Sequence, residues 1–290
     1  MSCYCRTANP NVTHIGMDKL FIRTWFLFVG LLCLVAYAGV HLSAPKEDTS
    51  IPLKSSGVPI ANPMILIPAG TFSMGSDEGG RNERPVHEVF LDAYEINQFE
   101  ITQSQYGEFV QATRHRSPLS RYVKDIERYN DVNQPVVYVN WLDAEAFCKW
   151  TGSRLPSEAE WEKAAKGPAD GVTWPWGNEQ QSGYGNFLGD ADKNRYTAFA
   201  GLFQKDQSPY KVYDLAGNAQ EWVADWYEPL YYDQGETKNP KGPLTGKMKT
   251  LRGGSWNDSY LSGRVAARIQ MVPDYRDTTV GFRCAKSATN

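Results

Sequence analysis

Cysteine and histidine are scarce in this chain of 290 residues, which holds five of the first and four of the second. His14, His41, His87 and His115 are scattered, and no His-x-x-x-His or Cys-x-x-Cys pair occurs. Zinc or non-haem iron held by several such side chains therefore has no ligand set. His87, in "PVHEVF", reads as a surface residue of a strand. No glycine-rich run has phosphate-loop or dinucleotide-loop spacing, and "RGGS" reads as a turn. No Ser-His-Asp arrangement can be argued from spacing. An excess of one charge is also missing. Thirty basic residues oppose 33 acidic ones, a net charge of −3, which is too even for a nucleic-acid or polyanion partner. There is no internal repeat and no low-complexity block.

Aromatics are plentiful, with nine Trp and sixteen Tyr, and 25 Gly and 17 Pro accompany them. This describes a loop-rich globule anchored by rings. The long apolar run is Leu20 to Val40, "LFIRTWFLFVGLLCLVAYAGV", with Lys19 and Arg23 at its start and no charge from Thr24 onward. A bilayer span needs about 20 apolar residues and a signal-peptide core about 7–15. The run fits an export signal cut after Ala38, in the small-x-small triplet Ala36-Tyr37-Ala38, or a retained single span. A buried core helix fits less well, because the run is near a terminus and linker follows it. Leu32, which is not small, precedes Cys33, so a lipoprotein signal is weak. The charge before the run places residues 1–19 in the cytoplasm and the rest outside, periplasmic or membrane-anchored, with the membrane a partner only if the run is retained. Met17 is an alternative start. Residues 41–62 read as a tether.

Cys3, Cys5 and Cys33 lie in or before that segment, which leaves Cys148 and Cys284. An even pair in an oxidising compartment suggests one disulfide; two separate buried thiols are the alternative. From 63 to 290 the pattern is one α+β domain. "MILIPAGTFSMGS" reads as strand, turn, strand, and "HEVFLDAYEINQFEIT" as another strand pair. Thr102 with Gln105 forms a capping box for a helix over "QSQYGEFVQAT". Asn140 caps a helix to Trp150, and Ser157 with Glu160 caps one that Gly167 ends. From there to about Val212 periodicity fades, and a loop of that length is usually functional or pinned, here by metal ions.

"IPAGTFSMGS", "ERPVHEVFLDAYEINQFEIT", "PVVYVNWLDAEAFCKW", "RLPSEAEWEKAAKG", "WPWGNE", "DLAGNAQEW", "LRGGSW" and "GFRCA" follow in order over residues 63–286. Together they resemble the formylglycine-generating enzyme, or sulfatase-modifying factor, family. The resemblance implies a C-type-lectin-like core with short strands, two or three helices and much irregular chain. It also implies that Cys148 and Cys284 pair. In the family's oxidases, two cysteines between the "GGS" turn and the "AAR" strand bind copper and oxidise a sulfatase cysteine to formylglycine. Here that interval, Trp256 to Val265, reads "WNDSYLSGRV" and holds no cysteine. Soft thiolate ligands are what select Cu(I), so copper is not expected. A second family disulfide falls on Ala165 and Val265, and the family's "GNAWEW" reads "GNAQEW", with Gln220.

Calcium is the expected cofactor, in a structural role. By resemblance its ligands are Asp214, Glu221 and the carbonyls of Gly217 and Ala219, an oxygen set of the kind calcium takes. A second site falls on Asn186, the Phe187 carbonyl, Asp192 and the Asn194 carbonyl, with Asp190 a competitor. Cleft candidates for chemistry are Ser255, Trp256, Asn257, Asp258, Tyr260, Arg264 and Arg268. Asp258 and Tyr260, standing where thiols are expected, could act as acid–base groups or line a groove. Whether the chain is an enzyme stays open at this level. The first reading is an exported or membrane-anchored, calcium-stabilised binding or accessory module for a protein, peptide or small-molecule ligand. The second is an oxidoreductase of altered mechanism on the same scaffold, maturing a secreted metabolite or protein. Authentic formylglycine generation ranks last, for want of thiolates.

Overall fold

The computed structural model describes residues 51–288, apart from 56, 119–122, 190, 191 and 234. The apolar run 20–40 and residues 1–19 before it lie outside the described residues, as does Asp190. Among the described residues no helix is long and apolar enough to cross a membrane.

Among the described residues three α-helices begin where the sequence caps them. Helix α1 spans Gln103–Thr113, α2 Trp141–Trp150 and α3 Glu158–Lys166. Each has a closed capping box: Thr102 with Gln105, Asn140 with Asp143, and Ser157 with Glu160. Gly167 ends α3, with its N–H on the Lys163 carbonyl. The strands are short: β1 Met64–Ile67, β2 Gly70–Met74, β3 His87–Leu91, β4 Tyr94–Asn97, β5 Gln220–Trp226, β6 Lys249–Arg252, β7 Ile269–Met271, β8 Val280–Phe282 and β9 Ala285–Ser287. This is an α+β domain.

The early strands pair by nesting. β2 pairs with β3, and β1 with β4, which pairs onward with β9, all antiparallel. So neither "MILIPAGTFSMGS" nor "HEVFLDAYEINQFEIT" closes on itself as a hairpin. A second sheet runs β7-β6-β5-β8, with β8 parallel to β5. The disulfide Cys148–Cys284 ties the end of α2 to the β8–β9 junction, with Cα atoms 5.6 Å apart. It sits in an apolar cluster with Phe147, Trp222 and Phe282. Ala165 and Val265, where the family's second disulfide falls, are both buried in the other main cluster.

The tether reading of 41–62 needs correction from Ile51 onward. Lys54 exchanges main-chain hydrogen bonds with Asn130 and Val132 at 2.8 and 3.0 Å. Asn133 accepts from the Ile60 N–H, and the Asn62 amide donates to the carbonyls of Phe99 and Glu100. Amide side chains on both sides, Asn133 of the domain and Asn62 of the segment, tie down a stretch that has no periodicity of its own.

Helix α3 carries five charged residues in "EAEWEKAAK", yet all nine of its residues are buried. Every charge is met. Lys163 donates to the carbonyls of Pro68 and Gly70, and Lys166 to those of Ser73 and Gly75. Arg252 bridges Glu158 at 3.0 Å and Glu162 at 2.7 Å, and Arg268 also grips Glu158. Burial works to raise the Glu162 carboxyl, but Lys166 and Arg252 overcome it and hold it at about 2 against an ordinary 4.5. A depressed carboxylate stabilises the fold above its unfolded value, and that stability is lost as pH falls through the folded one. Glu162→Gln should cost about 3 kcal/mol at pH 7. It should also flatten the acid limb between about pH 4.5 and 2 in urea titrations at successive pH values.

Candidate functional site

Between α3 and β5 the described residues form no further helix or strand. Side-chain hydrogen bonds organise that stretch, and Asn218 is their hub. Its oxygen accepts from the Asn186 amide at 3.0 Å and from the Ala198 N–H at 2.8 Å; its amide donates to Glu100 at 2.6 Å. Gly217 is required here. Its φ is +92°, and a Cβ would lie 2.2 Å from the Asn186 carbonyl oxygen. The two candidate calcium loops, around 186 and around 217, are therefore pressed together.

Four acids are buried at this junction: Glu100, Asp206, Asp214 and Glu221. One buried cation, Arg283, faces them. It grips Glu221 with two hydrogen bonds, of 2.7 and 2.6 Å. Trp161 Nε1 donates to the same carboxylate at 2.8 Å. Asp214 accepts from the Gly201 N–H through Oδ2, but its Oδ1 has no partner, and neither has Oδ1 of Asp206. Burial, then the charges of Asp214 and Glu221, drives the Glu100 carboxyl well up. Burial, then Asp214, does the same to Asp206. Asp214 is pushed up to about 7 by burial, against the Gly201 N–H and Arg283, with Glu221 adding to the rise.

These observations bear on calcium. Each candidate loop presents a buried oxygen without a hydrogen-bond donor, Oδ1 of Asp214 in one and Oδ1 of Asn186 in the other. Such oxygens are what a hard cation takes. Asp192, the second loop's carboxylate, accepts from the Phe187 and Asn194 N–H groups at 2.9 and 2.7 Å. Among the described residues no three His, Cys, Asp or Glu side chains converge as a metal site. A cation here would rely on amide and main-chain oxygens as well, as the mixed ligand sets do. Glu221 is the weakest member, since Arg283 and Trp161 already occupy its oxygens.

The cleft candidates separate. Ser255 is buried, and its hydroxyl donates to Asp258 at 2.6 Å. Gln220 Nε2 donates to the same oxygen at 2.7 Å, which turns Asp258 inward. Tyr260 lies elsewhere, its ring centroid 6.1 Å from that of Trp174. Asp258 is thus engaged with Ser255 and Gln220, while Tyr260 packs in an aromatic group. Arg264 makes a two-pronged pair with Glu83, and Arg268 one with Glu158, so both guanidinium groups are committed to the scaffold. Trp256 joins Tyr129 and Tyr196 in an aromatic cluster, with Asn257 exposed beside it. Reading by motif missed Glu100, Asp206 and Asn218. Glu100 and Asn218 stand inside the family motifs, and Asp206 stands in none.

Residues 53–288 match the sulfatase-modifying factor enzyme 1-like domain. The chain belongs to that family. The sulfatase-modifying factor domain here is 33% identical over 280 residues to the formylglycine-generating enzyme of Streptomyces coelicolor, covering 77% of this chain and 89% of that one. It is 34% identical over 247 residues to the serine/threonine-protein kinase pkn1 of Chlamydia pneumoniae, covering 79% of this chain. It spans only 38% of that kinase's length. Among solved structures, PvdO from Pseudomonas aeruginosa superposes with a TM-score of 0.67 at 26% identity, over 78% of this chain and 94% of that one. The fold is accordingly the C-type-lectin-like one of the family.

Proposed function

We propose that this sulfatase-modifying factor domain works without thiol–copper chemistry, as a calcium-stabilised binding or accessory module presented outside the cytoplasm. One observation carries the reading. Of the residues described, the two cysteines are joined to each other in a buried disulfide, outside the interval 256–265. That interval presents Asp258, tied to Ser255 and Gln220, where the resemblance expects thiols. Hard oxygen and amide groups do not hold Cu(I). The test is direct. Incubated with copper, oxygen, reductant and a Cys-x-Pro-x-Arg peptide, the purified chain should leave the peptide thiol intact by mass spectrometry. Conversion of that thiol to an aldehyde would overturn the reading. Oxygen uptake with a small secreted metabolite would replace it with an oxidoreductase of altered mechanism.

Calcium supplies charge neutralisation and oxygen-ligand cross-linking in this reading. Asp214, with the carbonyls of Gly217 and Ala219, would hold one ion, and Asn186 and Asp192 would help hold the other. Saturation at about a hundred times the dissociation constant should add roughly 2.7 kcal/mol to stability, seen as a rise in melting temperature. Asp214→Asn should shrink that rise. A melting temperature indifferent to chelator in the unaltered protein would count against both sites.

A further inference from the structure

Two cavities adjoin beside Trp256, along the outer side of the second candidate calcium loop. The larger, about 550 Å³, is lined by Lys54, Arg128, Lys193 and Arg195, with only Glu127 and Asp131 as acids. The smaller, about 360 Å³, is lined by Leu188, Trp256 and Asn257. Asn194 and Arg195 line both, so the two are chambers of one groove. Its cations outnumber its acids four to two in a chain whose acids outnumber its bases by 33 to 30.

Several features prepare this groove for a ligand. Arg128 is held over the Tyr196 ring at 5.0 Å and makes a long ion pair, 3.9 Å, with the exposed Asp125. A pair that long in solvent leaves most of the guanidinium's charge available. Lys54 is fixed at the rim by a hydrogen bond to the Glu127 carbonyl at 2.6 Å. Among the described residues Lys193 and Arg195 have no ion-pair partner, and both are exposed. Asp192 braces the loop that carries them, through hydrogen bonds with Asn194. Asn130 lines the basic chamber but is itself buried, its amide donating to the Pro52 carbonyl at 2.9 Å. Phe199 at the basic chamber is 40% exposed, and Leu188 at the other is 66% exposed.

We infer that this groove binds an extended peptide segment in which acidic side chains precede an apolar one. Arg128, Arg195 and Lys193 take the carboxylates, and Leu188 with Trp256 covers the apolar side chain. Guanidinium forks suit carboxylates, and alternating chambers suit a linear chain with side chains of two kinds. The inference deepens the proposed binding role and rests on it.

The experiment uses the full chain in a neutral detergent and a labelled Gly-Ser-Glu-Glu-Ala-Leu-Gly-Ser peptide, read by fluorescence anisotropy. Saturable binding is expected, at least tenfold tighter than for the same peptide with Lys in place of Glu, and weakening as salt rises. Arg195→Glu with Lys193→Asn should weaken it tenfold or more while leaving the melting temperature unchanged, because both side chains are exposed. Leu188→Ser should weaken the Leu-containing peptide and leave a Ser-substituted peptide unaffected. Equal affinity for the Lys peptide, or binding indifferent to Arg195→Glu, would overturn the inference. So would Arg195-dependent binding of a sulfated oligosaccharide with none of the peptide. These outcomes are separate from the aldehyde assay, which alone decides the non-thiol reading.

Discussion

Cys284→Ser should lower the stability of the domain by about 5 kcal/mol in the chain-entropy account of cross-links. The size follows from the sequence separation of 136 residues between Cys148 and Cys284. A cross-link that far apart removes a large share of the denatured chain's freedom, and the dependence on loop length is only logarithmic, so the figure is robust to the loop's exact span. Packing adds to it. Both cysteines are at most 1% exposed and touch the cluster built on Phe147, Trp222 and Phe282. A serine hydroxyl left in that cluster would lack a partner. The measurement is a urea midpoint for the variant against the parent under oxidising conditions. Thiol labelling of the native parent should modify neither cysteine. Labelling of both in folded protein, or a midpoint unchanged by the substitution, would show that the bond is not formed in solution.

Much of this architecture is legible in the residues because its signals are local. A capping box spans four residues, so Thr102, Asn140 and Ser157 announce their helices, and Gly167 announces an end. Pairing is less local. Nothing in "MILIPAGTFSMGS" tells β1 to seek β4 while β2 takes β3. Helix α3 shows a different limit. Its charges would place it at the surface, and it is buried because Arg252 and Arg268 arrive from a strand and a turn some 90 to 110 residues away. The segment 51–62 looks like linker in the sequence because its order comes from the amides of Asn133 and Asn62, which leave no periodic trace. At the candidate site, motif reading found Asp214 and Glu221. It did not find Glu100, which sits in a strand-to-helix connection and meets Asn218 across 118 residues of sequence.

Arg283 stands one residue before the bridged Cys284, and the motif "GFRCA" draws attention to the cysteine. The arginine has the larger electrostatic task. It is fully buried and donates to both oxygens of Glu221, and to the carbonyls of Asn97, Gln98, Tyr213 and Asp214. It therefore joins the end of β4, the loop before β5 and β5 itself. It is also the cation that opposes Glu100, Asp206 and Asp214, whose carboxyls burial and mutual repulsion already drive upward. Arg283→Met keeps much of the side-chain volume and removes that charge. Removing one partner of a buried ion pair costs about 3–5 kcal/mol, and here the upper end is expected, because Glu221 is left with only the Trp161 N–H. The pH dependence gives the sign. Carboxyls whose folded values are raised favour the fold when protonated, and that contribution is lost as pH rises through the folded value, about 7 for Asp214. Without Arg283 those values rise further, so the variant should take up more protons on folding than the parent does. Its deficit in urea should be largest at pH 8 and should shrink toward pH 5, and calcium should recover part of it by supplying the missing positive charge. A deficit that grew as the pH fell would mean that Arg283 acts through its carbonyl contacts and not through the acids it faces.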